Sequence, residues 1–151
     1  MRRSDKEIKD RGSIDAIIRS CKVCRLALSD GCQPYVVPLC FGYDSSHVYF
    51  HGAPEGRKIE LIRRNPRVCV EFEIVDGIVE GEPACHWGMK YRSVIGFGTA
   101  EIIEDPDSKK AALAWMMRQY CERNDPLPEE AVRNTCVIRV RIEQITGKRA
   151  L

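Results

Sequence analysis

Apolar and polar positions alternate in short runs along most of this chain, and a helical period replaces that alternation in only a few places. Val23 to Leu28 and Tyr35 to Tyr43 read as two strands joined by a hairpin turn at Asp30-Gly31. Pro38, inside the second, has no N–H to give to a ladder, so it belongs at an edge or a bulge. Asp44-Ser45-Ser46 is a further turn, followed by a strand over His47 to His51. From Glu55 to Arg64 the stripe Ile59, Leu61 and Ile62 predicts a helix, which Asn65-Pro66 ends because the residue before proline disfavours helical dihedrals. Arg67 to Ile74 alternates again, with Val68, Val70, Phe72 and Ile74 on one face, and Asp76 to Pro83 reads as a loop. Tyr91 to Ile103 is a long strand whose Gly96 and Gly98 mark a bulge or a barrel bend. Asp105-Pro106-Asp107 introduces a helix from Ser108 to Glu122, Asn124 to Arg133 a polar connection, and Cys136 to Ile145 the last strand. At the N-terminus, Ser4-x-x-Glu7 has the shape of a capping box and predicts a short helix, interrupted at Gly12 and restarted by a Ser13 cap.

Roughly six strands linked by hairpins, with two or three helices between them, predict a mainly β protein with flanking helices (α+β), its antiparallel sheet closed or nearly closed into a barrel. At 151 residues the chain fits one domain, residues 1–151, able to bury its own core. Its 24 Lys and Arg against 22 Asp and Glu leave a formal charge of +2, too balanced for a protein whose first task is nucleic acid. No apolar run reaches the roughly 18 to 20 residues of a membrane span. The charged N-terminus lacks the apolar stretch of a signal peptide, so a cytoplasmic setting is expected. Eight cysteines, at 21, 24, 32, 40, 69, 85, 121 and 136, are the compositional oddity. Without a secretion signal they read as reduced, buried fillers. Cys21-x-x-Cys24 has metal spacing, but no second such pair follows and regular strand alternation would send the two thiols to opposite faces, so no metal is expected.

The stretch that carries chemistry is Tyr49-Phe50-His51-Gly52-Ala53-Pro54-Glu55-Gly56-Arg57-Lys58. A strand runs into a glycine-bearing turn and a helix opens on two cations, where backbone N–H groups already attract anions. This reads as a phosphate cradle without the pattern of a nucleoside-triphosphate P-loop, and a solvated basic turn is the plain alternative. Taken with Pro34-Tyr35-Val36-Val37-Pro38-Leu39-x-Phe41-Gly42-Tyr43, Asn65-Pro66-x-Val68-Cys69, Tyr91-Arg92-Ser93-Val94-x-Gly96-x-Gly98 and Ile145-Thr146-Gly147-Lys148, the order resembles the pyridoxamine-phosphate-oxidase-related flavoproteins. Within them it is most similar to the Nim-type proteins, named for nitroimidazole resistance.

The resemblance implies an antiparallel split β-barrel that binds FMN between the two subunits of a homodimer. By motif position Gly56, Arg57 and Lys58 would hold the FMN phosphate. Val37, Pro38, Leu39 and Cys40 would line the isoalloxazine, partly through backbone groups, and Arg92 and Ser93 would place polar groups on the flavin or its ribityl chain. His51 would stand beside the flavin as the catalytic candidate. The expected activity is flavin-dependent reduction of a small acceptor such as a nitroaromatic or quinone, with a nicotinamide as electron donor. True pyridoxamine phosphate oxidases carry Arg and Lys where Val36-Val37-Pro38-Leu39 stands, glutamine where Ser93 stands, and an Arg/His segment with no counterpart before Leu151. Oxidation of vitamin B6 is therefore not expected. Alternatives from other classes are a flavin- or haem-binding protein without turnover, the haem held through His51, and a ligand-free dimeric module. His47 reads as exposed, Trp87 as an interface residue, Arg139 and Arg141 as a solvated strand face, and Trp115, Met116 and Met117 as helix core or dimer contact.

Overall fold

The computed structural model describes residues 3–121 and 126–150. Its strands are β1 (Glu7–Ile8), β2 (Cys24–Ser29), β3 (Pro34–Leu39), β4 (Gly42–Tyr43), β5 (His47–Gly52), β6 (Arg67–Val79), β7 (Gly88–Ile103) and β8 (Cys136–Ala150). They form one antiparallel sheet in the order β3-β2-β6-β7-β8-β5-β4, with β1 added on β8. Helices α1 (Arg11–Ser20), α2 (Arg57–Arg64), α3 (Pro106–Tyr120) and α4 (Glu129–Asn134) flank it. The two ends of that order, β3 and β4, are separated along the chain only by Cys40 and Phe41. Three Cα steps reach at most about 11 Å. The sheet therefore curls until its edges meet, making a barrel whose β3–β4 seam carries no ladder among the described residues. This is a split barrel, mainly β with flanking helices.

Alternation decides what fills it. Cys24, Leu26 and Leu28 of β2, Val68, Val70 and Phe72 of β6, and Ile138 and Val140 of β8 all turn inward. They meet Phe41, Phe50, Ile18 of α1 and Leu61 of α2, with Phe41 and Phe72 edge to face at 5.0 Å. A second cluster lies under α3, where Ala112 and Met116 pack on Tyr49, Ile103 and Val137. The register slips between Phe97 and Gly98, where β7 bends across β8. At Gly98 a Cβ would fall well inside contact distance of the Arg141 carbonyl oxygen, so no other residue fits that crossing.

Several elements differ from the sequence reading. Ser4–Lys6 is a single 3-10 turn rather than a capped helix, and the chain passes at once into β1, which pairs with Gly147 and Lys148. α1 starts before Gly12: the Asp10 carboxylate accepts from the Ser13 N–H at 2.7 Å, so Asp10 is the cap and Ser13 its partner. The expected strand over 35–43 breaks at the seam into β3 and β4. The expected loop over 76–83 is in large part ladder, because a bulge at Val75/Gly77 lets β6 run on to Val79 opposite Gly88. The polar connection contains α4, and α3 ends at Tyr120; the expected helix end at Glu122 lies outside the described residues. β8 continues to Ala150 because β7 and β1 both pair with it.

The cysteines also divide. Cys21, Cys24 and Cys136 are buried fillers, whereas Cys32, Cys40 and Cys85 are exposed, since they stand on turns and on the seam, where the chain faces outward. Cys21 caps the end of α1 and β2 begins only at Cys24, so strand alternation does not separate them and both thiols are buried. His47 is tied down rather than free: Asp44 accepts from its backbone N–H at 2.6 Å and lies 3.2 Å from its Nδ1. No helix among the described residues is long and apolar enough to cross a membrane.

Candidate functional site

Among the described residues β3 pairs only with β2, which leaves one of its edges open. Val37 and Leu39 pack against the core while Val36 and Pro38 face outward. Pro38 thus sits on an edge strand, the place where its missing N–H breaks no ladder. The segment β5–turn–α2 runs beside this strand and meets it at both ends. At one end His51 and Cys40 border the same cavity of about 330 Å³, which Met116, Met117, Tyr120 and Val132 cover from α3 and α4. At the other, the Arg57 guanidinium lies 3.4 Å from Asp30 Oδ2 in the β2–β3 turn. Six strand residues separate the two ends, about 20 Å at the usual rise.

The turn between β5 and α2 is built for close approach. Gly56 has φ 114°, a conformation open to glycine and strained for other residues, and no side chain caps the helix that follows. The first N–H groups of α2 are therefore free to meet an anion, with Arg57 and Lys58 beside them. The two cations diverge. Arg57 faces Asp30, whose carboxyl is held below its usual range chiefly by the Cys32 and Gln33 N–H groups, with Arg57 adding to them. Lys58 is half-buried: its Nζ lies 3.1 Å from the point where Gly52 would carry a Cβ, and it has no ion-pair partner among the described residues. Burial pushes its amine below the usual lysine range. A cation kept half-buried without a carboxylate is what a phosphate cradle requires, and Gly52 leaves the space for it.

Cys40 and Phe41 carry the chain across the seam, and Tyr120 fixes them. Its hydroxyl accepts from the Phe41 N–H at 2.8 Å and donates to the Lys22 carbonyl at 2.9 Å. The sequence reading gave this tyrosine no role at the seam and read α4 as part of a polar connection. The available signals were the acidic first turn Glu129-Glu130 after Pro128 and the apolar pair Ala131-Val132, all inside a segment whose composition is that of a loop. His51 has no hydrogen-bond partner among the described residues, and its side chain is exposed on the cavity wall.

Arg92 and Ser93 are not brought to this place within one chain. Ser93 pairs with Glu73 and Lys148, whereas His51 lies across Val137 from Ile103, at the far end of β7. About 30 Å of strand separates the two positions. Arg92 is already held by Asp76, with 2.9 and 2.6 Å bonds to its two oxygens. On the outer face a cross-strand row, Val36–Ala27–Cys69–Phe97, is apolar, and Val36 and Phe97 are 57% and 48% exposed.

Comparisons with known proteins agree with this fold. The structure is similar to a candidate 5-nitroimidazole antibiotic resistance protein from Bacteroides thetaiotaomicron, with a TM-score of 0.85 and 37% identity over 95% of this chain and 86% of that one. An FAD-binding protein from Mesorhizobium loti gives a TM-score of 0.67 and 28% identity over 94% of this chain and 96% of that one. The flavocytochrome Anf3 from Azotobacter vinelandii shares the fold, with a TM-score of 0.86 and 23% identity over 100% of this chain and 72% of that one. An uncharacterized protein of Rhizobium meliloti is 28% identical over 65 residues, so the match spans 43% of this chain and less than half, 42%, of that relative. The family model described as pyridoxamine 5'-phosphate oxidase matches residues 10–149, and the chain belongs to that family.

Proposed function

We propose that this protein binds a flavin, FMN, along the open edge of β3 and uses it to reduce a small acceptor such as a nitroaromatic, in the manner of Nim-type proteins. The observation that carries the reading is that β5–turn–α2 brackets β3, with His51 and Cys40 at one end and the Gly56-Arg57-Lys58 helix start at the other. Phosphate belongs at the cationic end and the ring system at the apolar end, against Val37, Pro38, Leu39 and Cys40. When bound, the flavin would supply the electron transfer, with a nicotinamide as the donor. The chain's own residues do the rest: the α2 N–H groups, Arg57 and Lys58 hold the phosphate, while Tyr120 keeps the seam in place under the ring. His51 stands where it can orient an acceptor or exchange a proton with it. The separation of Arg92 and Ser93 from the β3 edge supports a homodimer, in which a second copy brings them to the flavin. The apolar row through Phe97 suits the same arrangement.

Purified protein should be yellow, with a flavin absorption band and one flavin per chain. Arg57→Ala with Lys58→Ala should lower flavin retention by about tenfold or more, since each removes a charge-assisted bond. Flavin occupancy unchanged in the double variant would overturn the phosphate assignment. A second reading follows from His51, an imidazole with no partner among the described residues, on the wall of an apolar cavity: haem held at that residue, for which a Soret band lost in His51→Ala is the signature.

A further inference from the structure

On the side of α2 away from Asp30, the molecule holds a second cavity of about 230 Å³, between the end of β7, the start of α3 and the end of α4. Arg63, Lys109 and Arg133 line it, and Cys136 is part of its wall. Lys58 approaches from the same side, because its amine stands over Gly52, the ladder partner of Cys136. These four cations come from three different helices, and none has an ion-pair partner among the described residues. Elsewhere on this surface most arginines are matched, as Arg25 is with Glu71 and Glu73, Arg67 with Glu143, and Arg139 with Glu101. The one acid in the second cavity is Glu104, so the walls keep a positive excess. Among the described residues Lys109 reaches only the Arg133 carbonyl, at 3.5 Å. Burial raises the Cys136 thiol, opposed by Lys109, Lys58 and Arg63.

We propose that this cavity is a second phosphoryl-binding site, in which Arg63, Lys109 and Arg133 hold a phosphate group next to the one assigned to Arg57 and Lys58. Like charges gathered in one concavity repel each other, and an anion of two or more charges offsets that repulsion through several charge-assisted bonds at once. The group has two sources. It is either the second phosphate of a dinucleotide flavin, FAD, whose first phosphate sits at the start of α2, or a phosphate on a separate small molecule. The first source rests on the flavin reading above; the second does not.

The test uses the full chain and the triple variant Arg63→Ser, Lys109→Ser, Arg133→Ser, three positions on or near the surface, with its fold checked by circular dichroism. Calorimetric titration with inorganic phosphate and with pyrophosphate should show saturable binding to the wild type, weakened about tenfold or more in the triple variant. Arg118→Ser, an exposed arginine over the Trp115 ring and outside both phosphate sites, should keep that response. Titration of flavin-free protein with FMN and FAD then separates the sources. Tighter binding of FAD that falls to the FMN level in the triple variant identifies the dinucleotide. Equal binding of the two flavins, with phosphate binding intact, identifies a separate molecule. If neither flavin binds while pyrophosphate does, the flavin reading fails and this site stands. If phosphate and pyrophosphate do not bind the wild type, or bind the triple variant equally well, the site is refuted.

Discussion

Gly98 and Asp44 show how much single residues decide here. A methyl group at Gly98 meets the Arg141 carbonyl where β7 crosses β8. Gly98→Ala should therefore cost at least about 2 kcal/mol, the range of a strained backbone site, read as a lower urea midpoint. Asp44 closes the β4–β5 turn by accepting from the Ser46 and His47 N–H groups and from the Tyr49 hydroxyl at 2.6 Å. Burial pushes its carboxyl up, but the Tyr49 hydroxyl and the two N–H groups outweigh burial and hold it below the usual range. A depressed carboxylate contributes stability above its unfolded pKa of about 3.9 and loses it as pH falls through the lower folded value. Denaturation midpoints should drop below about pH 4. In Asp44→Asn the midpoint should already be lower at pH 7 and the acid dependence shallower; an unchanged acid slope would show that Asp44 is not the linked group.

At the scale of elements, the edge strand is held from outside its own sheet. β3 has one ladder partner, and its far end depends on Tyr120 at the last turn of α3. In Tyr120→Phe the Phe41 N–H loses its acceptor, which should cost about 1–3 kcal/mol. Hydrogen exchange should quicken at Phe41 while β6 and β7 stay protected; equal protection everywhere would mean the seam has another anchor. The hairpin signals at Asp30-Gly31 and Asp44-Ser45-Ser46, the α2 stripe and the glycine bend of β7 were all legible, because each is a local pattern. What escaped local reading was the seam break at Cys40-Phe41, the continuation of β6 through its bulge, and α4. Each depends on a partner far along the chain: Tyr120 for the first, β7 for the second, and the cavity bearing Val132 for the third.

For the whole molecule, the apolar row on the outer face is the feature a solitary barrel does not explain. Val36, Ala27, Cys69 and Phe97 lie on four adjacent strands, bordered by the ion pairs of Arg25 on one side and Arg67 on the other. Phe97→Glu places a charge at the β7 end of that row without touching the core. In sedimentation the wild type should behave as a dimer and Phe97→Glu as a folded monomer, with flavin retention falling alongside. A variant that stays dimeric would move the interface elsewhere on the barrel.

By itself the sequence determined the strand count to within a few elements, the helix that follows Gly56, the edge position of Pro38 and the family, since these rest on side-chain period, turn chemistry and motif order. His51, Cys40, Arg57 and Lys58 were named from those motifs, but their grouping was not visible there. Only the tertiary structure decided that β5–turn–α2 brackets β3, that Arg57 reaches toward Asp30 while Lys58 lies over Gly52, and that Arg92 and Ser93 stand far from both. The reason is physical. Periodicity reports which face of an element is buried, whereas the meeting of distant side chains follows from how the sheet curls, and that is set by the seam at Cys40-Phe41 and the bend at Gly98 together.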